Sequence, residues 1–313
     1  CAFVRLGDLG VVEALSRQVL ARDPKREDAW INLGNALLSS GRAPEAMECY
    51  RELLALTPDN PAPHNNLANA YKEMGDTERA LAHYHRSIEL DPAFLPGYVN
   101  LGNVLQDQGR QEEAEGCYRK SLEIEPALPD VHSNLLLCMN YTIGDAGARL
   151  FAEHQEWARR HAEPLHQTRT FANACGKRRK LRVAYLSPDL RGHPVAFFLE
   201  PLLARHDRER FEITCYADSA REDEVTLRLQ KQVGRWRTVV GAADAVLEKQ
   251  ILGDGVDILV DLAGHTGHNR MTLFARRVAP VQVTYLGYPN TTGLATMDYR
   301  LTDAWADPPG MTE

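Results

Sequence analysis

The sequence predicts an α-helical solenoid followed by an α/β lobe built on a parallel sheet. A 34-residue recurrence carries the first half: Trp30, His64, Tyr98 and His132 lie one period apart, and Leu33, Leu67, Leu101 and Leu135 keep step with them. An alternation of short β-rich runs with helical stretches carries the second half, from Lys177 onward. Between them, residues 145–165 place Leu150, Phe151, His154, Trp157 and Ala158 at helical spacing and read as a linker helix closed by Pro164.

The period brings back whole columns: Asn32, Asn66, Asn100 and Asn134; Gly41, Gly75 and Gly109; Tyr50, Tyr84 and Tyr118; Pro58, Pro92 and Pro126. This is the tetratricopeptide signature, two antiparallel helices per unit. Gly34, Ala68 and Gly102, and from the second helix Ala46, Ala80 and Ala114, are small where the paired helices approach closely. Gly41, Gly75 and Gly109 end the first helix of each unit, where a left-handed residue is needed. The three prolines stop the second helix. Gly7 and Pro24 sit one period before Gly41 and Pro58, and the chain starts at Cys1 rather than Met, so a partial first unit and a missing N-terminal stretch are expected. The repeats are read over 1–140, the linker over 141–176 and the lobe over 177–313.

Two asparagine columns need more than packing. Asn32, Asn66, Asn100 and Asn134 form one, and Asn35, Asn69 and Asn103 form another three residues on, on the same helical face. Asparagine is a mediocre helix former, and its carboxamide can hold a peptide backbone through both C=O and N–H. A ladder gripping an extended polypeptide is one reading; bonds between adjacent repeats are the other.

The 313 residues suffice for about two domains. At 44% apolar and 25% charged the composition is that of a soluble globular protein. No run is long and apolar enough to span a membrane, and none resembles a signal peptide. A net charge of −7 disfavours nonspecific nucleic-acid binding. The basic run Lys177-Arg178-Arg179-Lys180 reads as a solvated linker. Cysteines 1, 49, 117, 138, 175 and 215 form no CxxC pair and no metal-ligand spacing with histidine, which fits a reduced, cytoplasmic setting.

Strands are expected over 181–187, 211–217, 236–240, 257–263 and 281–287, with helices near 195–206, 222–231, 243–252 and 270–276. The alternation argues for a parallel sheet covered by helices, whose ligands bind at the carboxyl ends of strands. Three loops leave such ends. The first, 187–194, runs through Asp189, Gly192 and His193 and enters a helix at Pro194. His193 would sit beside a helix N-terminus, where exposed N–H groups favour anions, and can act there as a base or as a hydrogen-bond donor to a phosphate; the plain alternative is an exposed loop histidine. The second, 264–270, holds His265, Thr266 and His268, with no third ligand spaced for a metal. The third, 287–293, holds Tyr288, Pro289, Asn290 and Thr291, and reads as a structural turn or as part of a site shared with the other two. There is no GxGxxG, P-loop, Asp-x-Asp or Gly-x-Ser-x-Gly, which disfavours dinucleotide, P-loop, metal-dependent nucleotide-sugar and α/β-hydrolase chemistry.

Tetratricopeptide repeats joined to Leu-Arg-Val-Ala-Tyr-Leu-Ser-Pro-Asp-x-x-x-His-Pro over 181–194, Asp-Ile-Leu-Val-Asp-Leu-Ala-Gly-His-Thr over 257–266 and Ala-Pro-Val-Gln-Val-Thr-Tyr-Leu-Gly-Tyr-Pro-Asn-Thr-Thr-Gly over 279–293 resemble the protein O-GlcNAc transferase and SPINDLY family, most closely its bacterial members. The resemblance covers nearly the whole chain. It implies half of a GT-B fold, a Rossmann-like lobe whose partner lobe lies beyond this sequence and holds most donor contacts. A fragment without that lobe is expected to be inactive. It implies an inverting, metal-independent transfer of GlcNAc from UDP-GlcNAc to Ser or Thr hydroxyls of proteins, with no cofactor. It puts His193 in the active site, Asp189, Gly192, Pro194, His265, Thr266, Tyr288, Pro289, Asn290 and Thr291 around it, and the acceptor polypeptide on Asn32, Asn66, Asn100 and Asn134. A GDP-fucose-dependent relative and a non-catalytic peptide-binding scaffold are the alternatives.

Overall fold

The computed structural model describes residues 6–142, 147–173 and 179–304. Cys1, Cys175, Lys177, Arg178 and Glu313, with the first two positions of the linker helix read at 145–165, lie outside the described residues. The chain divides into two compact units, one ending at Pro126 and the other starting at Ala127.

The first unit is helical: α1 (Leu6–Arg22), α2 (Glu27–Ser39), α3 (Ala43–Leu56), α4 (Pro61–Glu73), α5 (Thr77–Leu90), α6 (Leu95–Asp107) and α7 (Gln111–Ile124). The punctuation is that of the sequence columns. Gly41, Gly75 and Gly109 take φ of 76°, 77° and 74° just after α2, α4 and α6. Asn60 caps α4 by accepting from the Ala62 N–H at 2.9 Å, and Asp76 caps α5 by accepting from Arg79 N–H at 3.1 Å. Leu33, Leu67 and Leu101 are buried, each contributing about 1.5–3 kcal/mol of apolar burial. Tyr50, Tyr84 and Tyr118 are fully buried. A Cβ on Gly34 would stand 2.4 Å from the Tyr50 ring, and one on Gly102 would stand 2.8 Å from Tyr118. A tyrosine from the second helix of the unit therefore lies over the first, and this sets the small-residue column.

The second unit begins with α8 (Pro129–Met139) and α9 (Gly147–Trp157), followed by a π-helical turn (Ala158–Ala162) and a 3₁₀ turn (Glu163–Leu165). α8, read from the sequence as the opening helix of a fourth repeat, groups with the lobe. Its polar face is the reason. His132 Nε2 pairs with Glu153 Oε1 at 2.9 Å, His132 Nδ1 lies 3.0 Å from His161 Nε2, and the Trp157 indole donates to the Pro129 carbonyl at 3.1 Å.

The lobe alternates β1 (Leu181–Ser187), α10 (Pro194–Arg205), β2 (Phe211–Ala217), α11 (Glu224–Gln230), β3 (Arg235–Thr238), α12 (Asp244–Asp254), β4 (Ile258–Asp261), α13 (Met271–Phe274), β5 (Val281–Tyr285) and β6 (Tyr299–Leu301). All five pairings are parallel, in the order β3-β2-β1-β4-β5-β6. That is the Rossmann order, and it bears out the expected Rossmann-like parallel-sheet lobe. β6 has no counterpart in the sequence reading. The last five residues of both β1 and β2 are buried, as strands covered on both faces require. Val183, Tyr185, Leu199, Leu203, Ile213 and Cys215 share one core.

Candidate active site

Strand order reverses between β1 and β4, so the crevice outside the carboxyl ends of these strands is where an open parallel sheet binds ligands. The β1 loop arrives there pinned. Asp189 N–H donates to Ser187 Oγ at 2.9 Å, and Arg191 pairs with the Asp189 carboxylate at 3.2 Å. Gly192 N–H donates to Asp223 Oδ2 at 2.8 Å, while Asp223 also caps α11 in a reciprocal box with Thr226. The Gly192 and Thr226 N–H groups hold the Asp223 carboxyl below its ordinary range. Thr226 Oγ1 in turn donates to the Leu190 carbonyl at 2.9 Å.

His193 is the N-cap of α10, with φ −148° and ψ 151°, and Pro194 follows in the first turn. Its Nδ1 accepts from Val195 N–H at 3.3 Å, and Asp189 Oδ2 lies 3.7 Å from the same nitrogen. A neutral imidazole that accepts at Nδ1 carries its proton on Nε2. His193, half-buried, therefore offers an Nε2–H donor at the start of α10, the positive end of that helix's dipole.

The β4 loop folds around Asp261. Its carboxylate accepts from Ala263 N–H, Gly264 N–H and Thr284 Oγ1 at 2.7–3.1 Å, and burial pushes its pKa up. His265, expected as a wall of the site, is instead an interior residue. It is fully buried, Nδ1 accepts from Ser133 Oγ at 3.0 Å, and Nε2 donates to the Thr292 carbonyl at 2.9 Å. Burial lowers its pKa to about 3, so the ring is neutral and its two bonds tie the β4 and β5 loops to α8. Thr266 is half-buried, with its hydroxyl donated to the Ala263 carbonyl at 2.8 Å. His268 takes φ 58° in the exposed part of the loop. Arg270 bonds Asp218 at 2.6 Å, Asp244 at 2.8 Å and the Ala242 carbonyl at 2.9 Å, and so joins the exits of β2, β3 and β4.

β5 leaves through Leu286 at φ 72° and Gly287. A Cβ on Gly287 would stand 1.9 Å from the Leu262 carbonyl oxygen, so the two loops touch backbone to backbone. Tyr288 is buried, and its hydroxyl accepts from Asn140 Nδ2 at 2.7 Å and donates to His154 Nε2 at 2.9 Å. His154 donates its one N–H, on Nδ1, to the Leu150 carbonyl at 2.7 Å, and burial lowers its pKa to about 4. Asn290 donates to Asn140 Oδ1 at 3.2 Å and accepts from Thr291 N–H at 2.8 Å.

A cavity of about 560 Å³ opens beside this loop. Of the residues singled out in the sequence, Tyr288 and Pro289 line it. Phe198, Tyr285, Leu301, Arg300 and Asp303 do so without having been foreseen. Phe198 stands on the helix that His193 caps and is 62% exposed, which leaves an aromatic face open at the site. Aromatic walls with a few polar groups are what a small polar ligand needs. Among the described residues, no group of three or more His, Cys, Asp or Glu is placed to hold a metal ion.

The second asparagine column has a structural role. Tyr50, Tyr84 and Tyr118 hydroxyls donate to Asn35, Asn69 and Asn103 Oδ1 at 2.8, 2.6 and 2.9 Å. The sequence held the signal: both columns lapse in the fourth unit, at Leu137 and Ala152. In the first column, Asn32 is exposed and Asn66, Asn100 and Asn134 are half-buried. Asn100 donates to Asn65 Oδ1 at 2.9 Å, and Asn65 Nδ2 reaches Asn66 Oδ1 at 3.4 Å, so the second and third repeats are bridged at this step.

The sequence profile of glycosyl transferase family 41 matches residues 124–313, and tetratricopeptide-repeat profiles match 34–75, 61–94 and 96–128. A probable UDP-N-acetylglucosamine–peptide N-acetylglucosaminyltransferase SPINDLY of Solanum lycopersicum is 41% identical over 180 residues, 56% of this chain and 19% of that protein. The UDP-N-acetylglucosamine–peptide N-acetylglucosaminyltransferase of Caenorhabditis elegans is 36% identical over 149 residues, 46% of this chain and 13% of that protein. The chain thus spans under a quarter of the length of these curated relatives. A solved mutant of the Thermobaculum terrenum O-GlcNAc transferase superposes with a TM-score of 0.81 at 36% identity, over 91% of this chain and 56% of that one.

Proposed function

Because the chain belongs to glycosyl transferase family 41, we propose that it supplies the acceptor-binding repeats and one catalytic lobe of an enzyme that transfers GlcNAc from UDP-GlcNAc to Ser or Thr hydroxyls of proteins. The transfer inverts the anomeric centre and uses no metal. The observation that carries the reading is His193, which caps α10 outside the carboxyl end of β1, at the strand-order switch. The acceptor oxygen attacks the anomeric carbon from the face opposite the nucleotide. The bond from that carbon to the diphosphate oxygen breaks, its electron pair leaves with the diphosphate, and the hydroxyl proton passes to solvent water. His193 Nε2–H and the α10 start stabilise the departing charge. Service as the base would need the other tautomer, with Asp189 taking the Nδ1 proton across 3.7 Å, and the Val195 bond favours the donor role.

Asn32, Asn66, Asn100 and Asn134 hold the backbone of the acceptor polypeptide, which lowers the entropic cost of orienting its hydroxyl. The N-acetylglucosaminyltransferase names of the relatives support UDP-GlcNAc over GDP-fucose. No described helix is long and apolar enough to cross a membrane, and the reading places the enzyme in the cytoplasm.

The test joins this chain to the C-terminal portion of the solved bacterial relative and offers a pool of Ser/Thr peptides with either sugar nucleotide, read by intact mass. One N-acetylhexosamine gained from UDP-GlcNAc, undiminished by chelator, is the expected result. Gain from GDP-fucose alone reassigns the donor. Peptide binding without transfer leaves a scaffold.

A further inference from the structure

α8 grips the β5 loop at two points. Ser133 reaches it through the His265 ring, which donates to the Thr292 carbonyl. Asn140, two turns further along the same face, reaches it directly through Tyr288 Oη and Asn290 Nδ2. The Asn140 amide also donates to the Leu136 carbonyl at 2.8 Å. That oxygen can only accept, which fixes the amide: Nδ2 faces Leu136 and Tyr288, and Oδ1 faces Asn290. Behind it the chain of bonds continues from Tyr288 to His154 and on to the Leu150 carbonyl of α9. Every link is directional, with donor and acceptor assigned, and most of it is buried, where such bonds are hardest to exchange for water.

The same helix carries Asn134. One rigid turn-and-a-half of helix therefore separates a residue assigned to the acceptor from a residue that holds the loop beside the cavity. We propose that Asn140 is a positioning residue. It sets the register between an acceptor polypeptide held on α8 and the hydroxyl-accepting site bounded by the 288–291 loop. The inference rests on the transfer reading above. It differs from that reading in assigning work to a residue that touches neither sugar nor diphosphate.

The experiment uses the joined protein and two acceptors with the same Ser/Thr site: a long one that reaches α8 and a short one that does not. Asn140→Leu keeps the side-chain shape and removes both polar arms. Expected is a fall in kcat/KM for the long acceptor of about tenfold to a hundredfold, as for a small misplacement of a reacting group, with a severalfold smaller fall for the short acceptor. Asn140→Asp keeps the acceptor for Asn290 Nδ2 but loses the donor to Tyr288 Oη and to the Leu136 carbonyl, so its loss on the long acceptor falls between the parent and the leucine variant. Should the leucine variant not fold, the aspartate variant decides by the same ratio. Equal losses for both acceptors make Asn140 a mere packing residue and overturn the proposal, as does an unchanged long acceptor. Failure of the unsubstituted protein to transfer at all sinks the parent reading instead.

Discussion

The Gly192 N–H donates to Asp223 Oδ2 across 2.8 Å, so the loop that carries His193 hangs on the cap of the neighbouring helix. One carboxylate serves α11 and the β1 exit together. Asp223→Ala should lower transfer and melting temperature at once. Asp223→Asn, which can still cap and still accept, should keep most of both. Parallel kinetic and melting measurements on the two variants check this; an alanine variant of normal rate would mean the loop holds itself.

His193→Ala should reduce transfer about a hundredfold to ten-thousandfold with a melting temperature close to that of the parent. If Nε2–H is the working atom, His193→Gln retains some rate, because a carboxamide N–H can replace the donor but no carboxamide replaces a base. Loss as complete in the glutamine variant as in the alanine variant would assign the base role.

The two asparagine columns should separate cleanly. Tyr50→Phe leaves Asn35 without its donor and costs about 0.5–1.5 kcal/mol of stability, with peptide affinity unaltered. Asn32→Ala, at an exposed position, should do the reverse. Titration of a labelled acceptor peptide against both variants, beside their urea midpoints, reads the two effects. Affinity lost with Tyr50→Phe would put the second column on the peptide after all.

Acid should loosen the second unit first. Burial lowers His154 and His161 to about 4 and His265 to about 3. Below the ordinary histidine range near 6.5 the unfolded chain takes protons that these folded rings refuse. Stability therefore falls as pH drops from about 6.5 towards 4, by up to about 1.4 kcal/mol per pH unit for each ring. His265→Gln, able to keep a donor and an acceptor, should shallow that slope. Melting curves from pH 7 to 4 for parent and variant measure it, and identical slopes would remove His265 from the acid response.

Most of the architecture was legible because each repeat restates it. Gly34 and Tyr50, or Gly102 and Tyr118, are a lock and its key printed at fixed spacing. β1 and β2 were readable to the residue, since their buried ends are short apolar runs, Val183–Leu186 and Cys215–Ala217, bounded by polar residues. β6 was not, because Tyr299, Arg300 and Leu301 form a three-residue edge with one neighbour and none of the three buried. Of the site, the loops were visible and the direction of their side chains was not. A Gly-His-Thr-Gly string reads the same whether its histidine meets solvent or Ser133. Nor does sequence announce that Leu286 will accept a left-handed backbone; that follows from the contact between Gly287 and Leu262.

The grouping of α8 with the lobe moves the natural seam for exchanging modules. A designer counting periods would cut after Asn140 and sever the bond from His132 to α9 and those from Ser133 and Asn140 to the lobe. The cut that spares those bonds falls at the boundary between Pro126 and Ala127. Solenoids of other lengths can be spliced there while the helix that steadies the site stays behind.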